Sequence, residues 1–284
     1  MMRQGPADRI LLLYSDRSDP VASIILDHRA RFSLEVIAVS LRQIVDEVAT
    51  GRHWSVEGRL IDPSRTAVVN RLTSLDIAID GAATSSPFQN RMLCMWLRRE
   101  LERFAYASSL PTVHSALGGY GGLLDQWLDL PEKIAGLRVP VHQTPWGGEQ
   151  LRGDVYVVNP GNLYSLGAAI SAKRDAQQGA GLAYVRPRGS LAHVAQVGRS
   201  FLIANAPPGI TRQQIDYLES FARAIASLSA DRILEHAFFI ADDLPVFYAT
   251  SPQPLLSSRL AVYADLVVQG LQDDLDTRSP SAAA

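Results

Sequence analysis

The run Ile10-Leu11-Leu12-Leu13-Tyr14 constrains the fold more than any other stretch, because it has no polar alternation. A strand of this kind is buried on both faces, as a central strand of a parallel sheet is. Ser15 to Pro20 reads as a polar turn. Asp19-Pro20 supplies an N-cap with proline at the first helical position, which predicts a helix over Val21 to Arg31. Leu34 to Val39 is a second apolar strand. Ser40 to Ala49 reads as a short helix with Leu41, Ile44, Val45 and Val48 on one face. The order strand-helix-strand-helix predicts an α/β layer with a parallel sheet.

The 284 residues suffice for one large or two modest domains, each with a buried core. A net charge of −2 gives no electrostatic footing for nucleic-acid or membrane binding. Cys94 is the only cysteine, so an intramolecular disulfide and a cysteine-cluster metal site are both excluded. It falls in the apolar helix face Met92 to Leu97 and is expected to be a small core residue. No apolar run reaches a membrane span, and the N-terminal run is too short for a secretory core, so a cytoplasmic location is expected.

Further along, Trp54 to Ile61 reads as a hairpin bent at Glu57-Gly58, and Ala67 to Arg71 as a strand ending in two polar groups. Asn90 to Tyr106 has the spacing of an amphipathic helix, and Leu110 to His114 that of a short strand. Gly118-Gly119-Tyr120-Gly121-Gly122 is a candidate joint between domains; it lacks the lysine and spacing of a phosphate loop. Leu123 to Ala135 is a helix closed by Gly136. Strands follow at Val155 to Val158, Gly181 to Val185, Leu191 to Val197 and Ser200 to Asn205, with a tight turn at Gly198-Arg199. Thr211 caps a helix running to Leu228. Ala237 to Ile240 and Pro245 to Tyr248 form a hairpin around Asp242-Asp243. Ser257 to Leu275 is a final helix, followed by a Ser/Ala-rich tail expected to be disordered.

This order of elements resembles the ATP-grasp superfamily, in particular its peptide-modifying, RimK-like ligase branch. Asn70-Arg71 and LPTVHS are similar to the family's "NR" and "LPVVNS" segments. Leu123 to Pro140 resembles the helix that ends in Gly-Leu-x-Val-Pro, and Val155 to Pro160 resembles the "VVVKP" strand. VRPRGSLAHVAQVGRSFLIA resembles the hinge and the "dlRvtVvGdrvfaa" hairpin, and LPVFYATSPQP the "LEvN" strand that carries metal ligands. The resemblance implies a pre-ATP-grasp α/β domain over 1–117 and an ATP-grasp-like α+β two-lobe domain over 118–275. The lobes would be 118–185 and 186–275, and the tail 276–284.

The family binds ATP and Mg²⁺ through a strand lysine, a hairpin arginine, and an Asp, Glu and Asn on the last hairpin, because phosphates and Mg²⁺ require cations and hard oxygen ligands. Here the lysine position holds Asn159, the arginine position His193, and a helix lysine position falls near Asp125. The metal positions hold Phe238 or Phe239, Ala249 and Ser251. The resemblance therefore implies a cleft without a metal site and no expected cofactor. The implied function is a non-catalytic protein that binds a peptide, an amino-acid-like ligand or a partner enzyme in a peptide-modification or natural-product pathway. A homodimer is also expected. The first alternative is an active ATP- and Mg²⁺-dependent carboxylate-amine ligase whose displaced ligands are Asp231, Glu235, Asp242 or Asp243. The second is a cleft re-used for ATP-independent chemistry, with His193, Tyr184 and Tyr248 as acid-base groups.

Arg71, Asn159, Arg186, Arg188, His193, Arg199 and Ser251 are the candidate ligand contacts, each weighed against a plain structural or solvated role. Arg71 is expected at the cleft, because open α/β sheets bind ligands outside the carboxyl ends of their strands. His114 and His142 lack a third ligand of recognisable spacing for a metal site. Ser85, Ser115 and Ser251 lack a Gly-x-Ser-x-Gly elbow.

Overall fold

The apolar run near the N-terminus forms β1 (Arg9–Tyr14), with Leu11 and Leu12 fully buried. It lies between β2 (Glu35–Ser40) and β5 (Thr66–Arg71), parallel to both, in the order β2-β1-β5. The computed structural model describes residues 9–15, 19–40, 43–44, 55–56, 58–62, 65–71, 123–143, 151–158, 182–204, 206–228, 232–240, 244–251 and 261–276. The chain divides into two compact units, Met1–Leu117 with Ser257–Ala284, and Gly118–Leu256.

In the first unit Asp19 caps α1 (Pro20–Asp27): its Oδ1 accepts from Ala22 N at 2.7 Å, and Pro20 opens the helix. The α-helix ends four residues short of the expected Arg31, because the last turn tightens into a 3₁₀ turn at Arg29–Arg31. Val21, Ala22, Ile24 and Ile25 are its buried face. The expected hairpin is present as β3 (Ser55–Val56) and β4 (Arg59–Leu60), with Gly58 at φ 79 supplying the left-handed bend. The last helix in the sequence spans Ala261–Asp276. Chain order had assigned it to the second domain, yet it groups with the first unit and contacts α1. Arg31 donates to Asp265 Oδ1 at 2.8 Å, and Gln272 Nε2 donates to Arg31 O at 3.0 Å. Both side chains of the ion pair are well exposed, so the apolar face around Val267 and Leu271 supplies most of the attachment.

The second unit begins its described part with α2 (Leu123–Lys133), which buries Leu124, Trp127 and Leu130. Gly136 at φ 80 lets the chain reverse after it. Two antiparallel sheets follow. The smaller has the order β6-β8-β7, from β6 (His142–Gln143), β7 (Val155–Val158) and β8 (Leu182–Val185). The larger has the order β10-β9-β11-β12, from β9 (Ser190–Val197), β10 (Ser200–Ala204), β11 (Ile233–Ile240) and β12 (Val246–Ser251). Gly198 at φ 58 makes the β9–β10 turn. Thr211 caps α3 (Arg212–Ser227) through a reciprocal box with Gln214. Leu218, Phe221, Ala222 and Ile225 of α3 join Val194 and Phe238 in the core of this unit. The final helix of the chain (Ala261–Asp276) is α4 below.

The mixed α/β class expected from the sequence is present, with one parallel sheet and antiparallel sheets. The expected helix at Asn90 to Tyr106, the strand at Leu110 to His114, the glycine joint, Cys94, most of the helix at Ser40 to Ala49 and the tail lie outside the described residues. No described helix is long and apolar enough to cross a membrane.

Candidate functional site

β12 carries the segment Val246-Phe247-Tyr248-Ala249-Thr250-Ser251 and is an edge of its sheet. Its backbone groups find partners beyond that edge. Phe247 N donates to Arg138 O at 2.8 Å, and Trp127 Nε1 donates to Tyr248 O at 2.6 Å. The Gln126 side chain acts as a peptide group would: Thr250 N donates to its Oε1 at 2.9 Å, and its Nε2 donates to Thr250 O at 3.1 Å. Tyr248 is the extra residue of a bulge, since Ala249 pairs with Ala237 while Phe247 pairs with Phe238. Ser251 stands opposite Glu235.

Strand register puts His193 and Glu235 on one face. His193 pairs with Ala237, and Glu235 with Ala195. His193 Nδ1 and Glu235 Oε1 are 2.7 Å apart. A carboxylate only accepts, so Nδ1 carries the proton and Nε2 is turned from Glu235. His193 is 8% exposed and Glu235 3%. Around them the strands supply small side chains, Ala195, Ala237, Ala249 and Ser251. An imidazole held this way can accept a proton or a hydrogen bond at Nε2, and only once protonated there can it donate to an anionic group.

A second buried network runs on alternate positions. Thr250 Oγ1 and Gln196 Oε1 each lie 3.0 Å from a nitrogen of His236. The Gln196 oxygen can only accept, so His236 Nε2 carries the proton and Nδ1 accepts from the Thr250 hydroxyl. Burial pushes this imidazole down to about 3, which keeps it neutral.

Aromatic rings pack where α2, β8 and β12 meet. Trp127 lies 5.3 Å from Tyr184 and 5.9 Å from Tyr248, and the two tyrosine hydroxyls are 3.1 Å apart. Burial raises both phenols. Arg186 sits over the rings of Tyr156 and Phe239, at 5.3 and 5.6 Å from their centroids.

The candidates from the sequence thus separate. Arg71 does not face open space: it is fully buried in the first unit, its Nε donating to Asp19 Oδ1 at 3.0 Å, because the N-cap carboxylate needs a partner once covered. His193 and Ser251 lie on the described sheet, linked through Glu235. Tyr184 and Tyr248 bond to each other within the core, an arrangement that suits packing better than proton transfer. Arg186 is stacked, Arg188 is on an exposed loop, and Arg199 is at the β9–β10 turn. Of the positions named for metal ligands, Phe238 packs edge-on against Phe247 in the core, and Ala249 stands across from Ala237. His142 lies over Trp127 at 5.3 Å and its Nδ1 is 3.0 Å from Pro140 O. Asn159, His114, Asp231, Asp242 and Asp243 lie outside the described residues. Among the described residues no group of three His, Cys, Asp or Glu side chains could hold a metal.

Sequence reasoning missed Glu235 as the partner of His193. Beginning β11 at Ala237 hid the clue: in the run Ile233 to Ile240 a glutamate sits among apolar residues, and a buried carboxylate requires a partner.

Comparison with solved structures gives matches over nearly the full length. The macrocyclase MdnC bound with precursor peptide MdnA, from Microcystis aeruginosa MRC, matches at a TM-score of 0.68 and 10% identity, over 95% of this chain and 99% of that one. The ATP-grasp ligase PsnB complexed with a phosphomimetic variant of minimal precursor, Mg and ADP matches at 0.64 and 16% identity, over 98% and 99%. D-alanine–D-alanine ligase from Bacillus anthracis complexed with ATP matches at 0.54 and 10% identity, over 96% and 98%. The chain has the ATP-grasp fold. No protein-family model and no curated protein matches the sequence. The ATP-grasp fold is what the order of elements had implied.

Proposed function

We propose that this ATP-grasp chain is a binding protein for a peptide, an amino-acid-like ligand or a partner enzyme, working in peptide modification without Mg²⁺-ATP chemistry. The observation that carries this reading is the donor set on the β11–β12 face. Ala237 and Ala249 offer methyl groups, Ser251 a neutral hydroxyl, and Glu235 is tied to His193. Mg²⁺ between phosphates takes hard oxygens, chiefly carboxylates, so these residues do not fit a metal pair. The packed rings of Trp127, Tyr184 and Tyr248 further favour a core over acid-base groups. The peptide side of the reading leans on the fold neighbours MdnC and PsnB, both described with precursor peptides.

A second reading, an active carboxylate-amine ligase, draws on Glu235, a carboxylate opposite Ser251. Thermal denaturation with ATP or ADP, each with Mg²⁺, separates the two, since a ligand bound by the native state alone raises the melting temperature. The binding reading expects no shift at millimolar nucleotide. A saturable rise together with Mg²⁺-dependent ATP hydrolysis would overturn it.

A further inference from the structure

Beyond that face, a cavity of about 450 Å³ opens between the β9–β10 turn and the C-terminal half of α3. Its lining includes three arginines, Arg199, Arg223 and Arg232, together with Gln196, Phe201 and Ser227. Gln196 and Phe201 are paired in register and alternate with His193 and Ala195, so the cavity is on the sheet face opposite the His193–Glu235 pair. Among the described residues that line it there is no carboxylate.

The neutral lining groups are already used within the fold. Gln196 Nε2 donates to Gly198 O at 3.0 Å while its Oε1 faces His236, and Ser227 Oγ donates to Ala224 O at 2.7 Å. The guanidiniums of Arg199 and Arg223 reach the solvent side of the cavity. Arg223 is held over the Phe201 ring at 5.0 Å, and its ion pair with Glu219, one turn back on α3, is a long and solvent-exposed one at 3.6 Å. Arg199 is exposed at the turn and makes no ion pair among the described residues. Three guanidiniums line one small cavity, and each attracts an anion placed in it. Guanidiniums present forked N–H donors that match phosphate oxygens in pairs.

We infer that this cavity is a binding site for a small phosphate-bearing molecule, recognised by Arg199, Arg223 and Arg232. Its volume suits a small molecule, within the roughly 300–1,000 Å³ of such sites. The site is independent of whether Mg²⁺-ATP binds at β11–β12.

The test is calorimetric titration of the full chain with inorganic phosphate and pyrophosphate at constant ionic strength, with amide chemical shifts read at Gly198, Ala226 and Ser227. Saturable binding is expected, tighter for pyrophosphate, with those shifts moving. Arg223→Gln should weaken it by about tenfold or more, the scale of one lost charge-assisted contact. Arg199→Gln, at an exposed turn where folding is not in question, should weaken it in the same direction. Absence of saturable binding up to about 10 mM, a Kd at which affinity is negligible, would overturn the inference. So would affinity unchanged in Arg199→Gln, or shifts confined to other residues. A tetraglutamate peptide that moves the same amides while phosphate and pyrophosphate do not would also overturn it, in favour of an acidic-peptide site.

Discussion

His236 shows how one side chain sets a pH dependence. It is fully buried, hydrogen-bonded through both nitrogens and held neutral down to about 3. An unfolded histidine takes up its proton near pH ~6.5. Its stabilising effect is therefore complete above that pH and is lost progressively as the pH falls toward 3. Between pH ~7 and ~5 the expected loss from this residue is about 2 kcal/mol. Urea denaturation at both pH values should show that loss in the native chain, and His236→Gln, though less stable, should lack that part of it. Parallel pH profiles for the two proteins would assign the titration elsewhere. The sequence did not reveal this role. A histidine in an apolar strand indicates burial, but its partners Gln196 and Thr250 are on other strands, and only the pairing of β9, β11 and β12 brings them together.

Among the elements, β12 depends on side chains that stand in for a neighbouring strand. Thr250 N and O are both buried against Gln126. Gln126→Leu keeps the volume but leaves a donor and an acceptor unpaired, an expected cost of about 2–4 kcal/mol measured by denaturant unfolding. A loss below about 1 kcal/mol would mean that another group replaces the amide. The strands themselves were legible, because apolar runs, glycine turns and the Asp19 and Thr211 caps are local signals. The candidate site was legible only in part. His193 and Ser251 could be placed, but the register that sets Ala237 against Ala249 depends on the bulge at Tyr248. Arg71 likewise looked like a strand-end charge, and only the folded position of Asp19 shows why it is buried.

At the scale of the whole molecule, the second unit is one continuous stretch, whereas the first is assembled from both ends of the chain. Residues 118–256 expressed alone should therefore give a cooperative urea transition. Residues 1–117 alone should be markedly less stable than the first unit in the full chain, because they lack α4, its packing on α1 and the bonds of Asp265 and Gln272 to Arg31. Circular dichroism during unfolding checks both, and a non-cooperative 118–256 fragment would refute the separation. The divided first unit also sets an order of events during synthesis. When residue 256 has left the ribosome, every segment of the middle unit is available, but the helix that completes the first is still to come. Domains fold as units as they emerge. In this chain the middle can finish before the beginning, and the early strands must wait, with part of their apolar surface uncovered, for the last helix to arrive.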